Sequence, residues 1–163
     1  MSDAREAVFA GIRRRLGRGP LDEARRAELE ARMRAPEATL IPARSQRDHA
    51  GQVALFVEMA EAAAASVQRL AGMDDVPAAV ADYVREHQLP GPLVVAPSPE
   101  LEALPWSGQA SLRYERRAAR NGDKVTIAPA FAGIAETGTL MLLSGPDSPT
   151  TLNFLPDAHI VVL

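Results

Sequence analysis

Cysteine is absent from the 163-residue sequence. That excludes disulfides, a cysteine-ligated zinc and any iron–sulfur cluster held by this chain. Aromatic residues make up only 4%, so a core has to be assembled from Ala, Val, Leu and Ile. Lysine occurs once, at Lys124, and every other basic side chain except histidine is arginine, a bias that fits a GC-rich genome better than a function. Neither sign of charge dominates: 18 basic residues face 21 acidic ones for a net charge of −3, which leaves no global basic field for nucleic acid or an anionic membrane. No stretch approaches the roughly 18 uninterrupted apolar residues of a membrane helix. The charged start, Met1 to Ala10, lacks the apolar run of a signal peptide, so a cytoplasmic protein is expected. His49, His87 and His159 stand far apart without metal-ligand spacing, and no metal site is expected.

What is present is the composition of a folded globular protein, 47% hydrophobic and 24% charged, at a length that suits one domain. Charge is unevenly spread: residues 1–50 hold 11 arginines against 8 acids, whereas residues 51–163 hold 7 basic against 13 acidic residues. Residues 1–47 are expected to form an N-terminal helical extension and linker. Asp3 and Glu6 have capping-box spacing, Val8, Phe9, Ile12 and Leu16 recur at helical intervals, and Gly17 ends the run. A second helix from Leu21 to about Met33 carries a thin stripe, Leu29 and Met33, too narrow to bury much by itself. Pro36 and Pro42 then keep residues 35–50 from forming a continuous helix.

Residues 48–163 alternate helix and short apolar strand. A helix is expected from Asp48 to Ala64 with Val53, Phe56, Val57, Ala60 and Ala64 on one face, followed by a short extended segment at Ser66–Leu70. Asp74 or Asp75 can cap the next helix, whose stripe is Val76, Val80, Tyr83 and Val84, with His87 near its end. Leu93–Ala96 reads as a buried strand, Pro99 to Trp106 as loop, and Arg113–Arg120 as a short surface helix. Val125–Ile127, Thr139–Leu143 and Ala158–Leu163 read as further strands. The expected fold class is α/β, a mainly parallel sheet flanked by helices.

Beyond residue 124 only Glu136, Asp147 and Asp157 carry formal charge, so polar chemistry concentrates in two turns. One is Gly133-Ile134-Ala135-Glu136-Thr137-Gly138, leading into Thr139. The other is Ser144-Gly145-Pro146-Asp147-Ser148-Pro149, between a strand end and a short helix for which Ser148 would be the N-cap. Ligands collect at carboxyl ends of strands in open α/β sheets, and small residues allow close approach. The spacing is neither a P-loop nor a dinucleotide-binding fingerprint, and ordinary turn-forming glycines with a solvated Glu136 satisfy the same pattern. His159, heading an apolar strand, reads as a buried side chain with its hydrogen bonds made. His87 reads as a surface residue that complements a helix dipole. Arg116, Arg117 and Arg120 read as a solvated face, with an acidic partner as the minority alternative.

The block Gly133-Ile134-Ala135-Glu136-Thr137-Gly138-Thr139-Leu140, continued by Leu143-Ser144-Gly145-Pro146-Asp147 and by Leu155-Pro156-Asp157-Ala158-His159-Ile160-Val161-Val162, resembles the lactate utilization protein C family, or LUD domain. The middle of the chain resembles that family in layout, and the N-terminal helices do so loosely. The resemblance implies a fold related to sugar-phosphate isomerases and coenzyme A transferases, and a part in oxidising L-lactate to pyruvate beside two partner proteins that carry the iron–sulfur centres. It places Glu136, Thr137, Gly138 and Thr139, with Ser144 and Gly145, at the pocket; Asp147 and Ser148 in the second turn complete the candidate ligand-binding set, and Glu136 is the candidate catalytic residue. Family members usually continue into a Gly-Pro-Ser-Arg-Thr-Ala-Asp-like motif, and this sequence departs from them in not containing it.

Two functions follow as expectations. The first is an accessory subunit of an iron–sulfur-dependent L-lactate oxidation system. It would bind a small organic acid or the iron–sulfur partner proteins, hold no cofactor of its own, and touch neither nucleic acid nor membrane. The second is a stand-alone enzyme acting on a phosphorylated sugar or acyl thioester, with Glu136 as base or nucleophile.

Overall fold

The computed structural model of the chain describes residues 2–36 and 40–163 and divides into two units, Met1–Ile41 and Pro42–Leu163. In the first, α1 (Ser2–Arg15) ends where glycine permits it. Gly17 sits at φ 62°, with Arg18 N donating to Arg13 O at 2.9 Å and Gly17 N to Arg14 O at 3.3 Å, the paired bonds of a left-handed helix stop. The Asp3 side chain, and with it the capping-box spacing to Glu6, lies outside the described residues, as do residues 37–39 of the expected connector. Helix α2 (Glu23–Arg34) starts at Asp22, whose Oδ1 accepts from Arg25 N at 2.7 Å, and none of its residues is buried.

The second unit is built on a four-stranded parallel sheet. α3 (His49–Ala62) is capped by Asp48, which accepts from Gly51 N at 2.9 Å. It buries Leu55 and Ala60, with Val53, Phe56 and Val57 half-buried. Ala64, expected on that face, is exposed and left-handed at φ 65°, because the helix has already ended. Residues 66–70 are irregular and join no strand. α4 (Val76–Glu86) buries Val76 and Val80 and packs Val84 on the core. Asp75 takes its N-cap position without a side-chain bond. Strand β1 (Leu93–Val95) is buried throughout, and Ser98 caps the short α5 (Pro99–Glu102).

Strand β2 (Tyr114–Arg116) replaces the surface helix expected over Arg113–Arg120. Leu112 and Tyr114 point inward at a spacing of two, a strand period that the run of charges obscures, and β1 takes up the backbone in parallel, Leu93 against Tyr114. β3 (Val125–Pro129) flanks β1 on the other side. The chain then forms a separate antiparallel hairpin, β4 (Ala132–Ile134) with β5 (Thr139–Met141), before α6 (Thr151–Phe154) and β6 (Ala158–Val162). The expected Thr139–Leu143 strand is thus real but shorter, and it lies outside the main sheet. Four turn residues separate it from β4, and a parallel crossover needs about a dozen or more. Its flanks Ile134, Met141 and Leu143 are exposed, so this stretch is not the buried sheet that its composition suggested.

The sheet order is β2-β1-β3-β6. Val94, Val95, Ala96, Val125, Ile127 and Ala128 are fully buried, as a sheet covered on both faces requires; each large apolar side chain so buried contributes about 1.5–3 kcal/mol relative to exposure. The buried Thr126 hydroxyl donates to Leu152 O at 2.7 Å, fixing α6 to one face. Trp106 is buried beside Tyr114, with ring centroids 5.4 Å apart. Among the described residues no helix is long and apolar enough to cross a membrane.

Candidate functional site

The first candidate turn is held from two directions. Gly138 stands at φ 65°, a conformation an L side chain adopts at a cost. A Cβ there would lie 2.5 Å from Ala60 N and 2.6 Å from Met59 C. The turn therefore rests directly on the backbone of the last turn of α3. At the other end of the hairpin a Cβ on Gly133 would meet Phe56 Cε2 and Leu163 Cδ2, both at 2.9 Å. Glycine at both positions is what lets the hairpin approach so closely.

That approach carries Glu136 to Arg44, which sits in the 3-10 turn Ala43–Ser45 just before α3. Arg44 Nη2 and Nε donate to the same oxygen, Glu136 Oε1, at 2.8 and 3.1 Å. The Glu136 side chain is 27% exposed and that of Arg44 55%, so the pair stands at the surface and contributes about 1 kcal/mol or less. Glu136 Oε2 takes no part in this contact, leaving a carboxylate oxygen and an exposed guanidinium side by side. Thr137 Oγ1 and Thr139 Oγ1 lie 2.8 Å apart on the same turn. Arg44 was not legible as a site residue. It lies 92 positions from Glu136 in a segment without periodicity, and nothing in the sequence links the two.

The second candidate turn is a separate feature. Gly145 and Ser148 bond each other's backbones, Gly145 N to Ser148 O at 3.1 Å and Ser148 N to Gly145 O at 3.2 Å. Ser144, Gly145 and Asp147 are exposed and Ser148 half-buried. Among the described residues no hydrogen bond or ion pair joins this turn to Glu136, Thr137, Gly138 or Thr139. Ser148 does not cap α6, because its backbone is committed to the turn. The N-cap position falls to Thr150, without a side-chain bond, and Ser148 Oγ is left buried and unpartnered.

The other charged residues that the sequence singled out are largely engaged internally. Arg117 Nη1 and Nη2 fork onto Asp123 Oδ2 and Oδ1 at 2.6 and 2.9 Å, and Arg117 Nε donates to Glu115 at 2.6 Å. The Arg117 guanidinium, helped by Arg120 N, holds the Asp123 carboxyl down at about 2. Arg116 lies over the Tyr114 ring. His87 is exposed at the end of α4 and packs, tilted, against the Tyr83 ring with centroids 4.2 Å apart. Among the described residues no group of three or more His, Cys, Asp or Glu could hold a metal ion. A shallow groove of about 370 Å³ runs along α1, between Ala7 and Arg15, and includes none of the candidate residues.

His159 departs from expectation. It lies on β6 opposite Thr126 of β3, but its Nε2 is buried without a hydrogen-bond partner, and burial alone pushes its pKa below the ordinary 6.5. The unfolded chain therefore takes up this proton first as pH falls. The His159 contribution to stability is fully present above about pH 6.5 and is lost as pH drops toward the lowered folded value. Urea denaturation at pH 5 and 7.5 should show the protein less stable at pH 5, with that difference reduced in His159→Gln; an equal slope in the two proteins would refute the assignment.

Comparison with known proteins adds one match. The family model described as LUD domain matches residues 53–163, a span that contains both candidate turns and every strand of the sheet. No curated protein and no solved structure matches the chain.

Proposed function

The chain belongs to the LUD-domain family, which is associated with lactate utilization, and from that premise we propose that it is an accessory subunit of an iron–sulfur-dependent system oxidising L-lactate. The observation that carries the reading is the family match across residues 53–163. A chain without cysteine has no thiolate for a cluster, so in this reading the electrons pass through iron–sulfur partner proteins. The subunit binds a small organic acid or those partners. The exposed Arg44 guanidinium beside Glu136 supplies the chemistry for such an acid: a planar donor fork for its carboxylate and an acceptor for a neighbouring hydroxyl. Thr137, Gly138 and Thr139 shape the same turn, while Ser144, Gly145, Asp147 and Ser148 would serve a second contact surface.

Deleting the gene from a strain with no other lactate dehydrogenase should abolish growth on L-lactate as sole carbon source and leave growth on pyruvate intact. Complementation with Arg44→Ala or Glu136→Gln should restore growth poorly, and affinity purification from lactate-grown cells should co-isolate cysteine-rich, ferredoxin-like proteins. Undiminished growth of the deletion strain on L-lactate would overturn the reading. So would turnover of a phosphorylated sugar or acyl thioester by the purified protein that disappears in Glu136→Gln.

A further inference from the structure

Helix α1 buries none of its described residues. From Ala4 to Leu16 every residue is exposed except half-buried Gly11, and the large apolar side chains stay in solvent: Val8 is 60% exposed, Phe9 44%, Ile12 46% and Leu16 60%. At about 100° of turn per residue these four share an arc about 100° wide. Leu16 belongs to it because its N still donates to Ile12 O at 3.0 Å. Charge is arranged around that arc. Arg15 stands just beyond one border, Arg13 just beyond the other, and Arg14 on the opposite side. Arg5 lies over the Phe9 ring, 5.3 Å from its centroid. Residues 7–20 hold four arginines and no acid. The groove of about 370 Å³ on this helix is lined by Val8 and Ile12 from the apolar arc, by Arg14 and Arg15, and by the small Ala7 and Gly11.

We propose that α1 is a membrane-surface helix that lies flat in the headgroup layer of an anionic bilayer. Val8, Phe9, Ile12 and Leu16 enter the acyl boundary to a depth of about 5–10 Å. Arg13 and Arg15 extend from the two flanks to lipid phosphates. The groove suits both halves of a phospholipid, an acyl chain against Val8 and Ile12 and a phosphate against Arg14 and Arg15. Charge selects this occupant. A protein groove would cover the apolar arc and leave Arg14, on the far side, without an anion. The phosphate field of a bilayer is laterally continuous and decays over a Debye length of about 8–10 Å, so it reaches guanidiniums all round the helix. A nucleic acid would pair with the arginines and leave the four apolar side chains in water. The expectation of no membrane contact came from the net charge of −3 and the lack of a spanning helix, and neither opposes this mode. The acids are concentrated elsewhere, 13 against 7 basic residues over 51–163. A helix lying in the surface needs none of the length and apolarity of one that crosses, which no described helix has.

The test is sedimentation of the 163-residue chain with vesicles of equal parts phosphatidylglycerol and phosphatidylcholine. Pure phosphatidylcholine vesicles and poly-glutamate, a polyanion without an apolar phase, are the comparisons. Binding should favour the mixed vesicles strongly over both and fall steeply as salt rises from about 0.05 to about 0.5 M. Each arginine near such a surface is worth about fivefold, so Arg13→Gln/Arg14→Gln/Arg15→Gln should weaken the partition about a hundredfold. The same loss of three charges on α2, Arg26→Gln/Arg32→Gln/Arg34→Gln, should weaken it far less, since α2 interleaves its arginines with Glu23, Glu28 and Glu30. Phe9→Gln/Ile12→Gln keeps every charge and should weaken binding about tenfold or more. Glutamine supports a helix about as well as arginine, and far-ultraviolet circular dichroism checks that each variant is folded. Four results would each overturn the proposal: no binding to the mixed vesicles at low salt, equal binding to either comparison, equal loss in the two arginine triples, or undiminished binding by Phe9→Gln/Ile12→Gln.

Discussion

Replacing Trp106 with alanine is expected to lower the free energy of unfolding by about 3–5 kcal/mol, a large share of the roughly 5–15 kcal/mol available to a domain of this size. Two losses combine. The indole is 2% exposed within the main core and packs on Tyr114, so its removal leaves a cavity under β2. Its Nε1 also donates to Leu101 O at 2.6 Å, an acceptor that becomes an orphan in the interior. Trp106→Phe separates the two: most of the packing returns, the orphaned carbonyl remains, and the expected cost falls to about 1–3 kcal/mol. Trp106 is the only tryptophan, so urea titrations of the variants have to be followed by far-ultraviolet circular dichroism. A loss under 1 kcal/mol in Trp106→Ala would show that the indole is not a core anchor.

Gly138→Ala is expected to cost about 2–4 kcal/mol, from a positive φ that disfavours any Cβ and from overpacking against neighbouring backbone. The atoms in the way are Ala60 N and Met59 C, which a side-chain rotation cannot clear. The hairpin would have to lift from α3, and Glu136 would withdraw from Arg44. Gly145→Ala is the matched control: it lies in the other candidate turn with nothing within 4 Å of the new Cβ and no positive φ, and should change stability by under about 0.5 kcal/mol. Equal effects of the two substitutions in urea denaturation would refute the close approach of the turn to α3.

The elements legible in the sequence were those whose pattern is strong and local. Gly17 and Asp48 mark helix ends by backbone requirements that need no tertiary partner, the apolar runs at Leu93 and Val125 are strands buried in the sheet, and the run at Ala158 is a half-buried strand at its edge. β2 was hidden because Arg113, Glu115, Arg116 and Arg117 suggest a solvated helix, and only pairing with β1 makes Tyr114 part of a strand. The segment after residue 130 misled for the opposite reason. Its low charge implied burial, whereas a four-residue turn confines it to a hairpin with exposed flanks. Of the candidate site, the sequence showed the turn and its one carboxylate. It could not show Arg44, which reaches Glu136 only because Gly138 brings the turn down on α3. Nor could it show the orphaned nitrogen of His159, which depends on how the folded chain buries that ring.

The strand order also bears on how the sheet is completed during synthesis. β1 is flanked by β2, which emerges about twenty residues later, and by β3, which emerges about ten after that. Its three valine- and leucine-rich positions are therefore translated well before either neighbour exists to shield them, and synthesis at roughly 5–20 residues per second leaves that gap open for seconds. A nascent chain arranged this way keeps that apolar ribbon unpaired until both neighbours have followed it out of the ribosome, so slower synthesis would lengthen its demand on holdase chaperones.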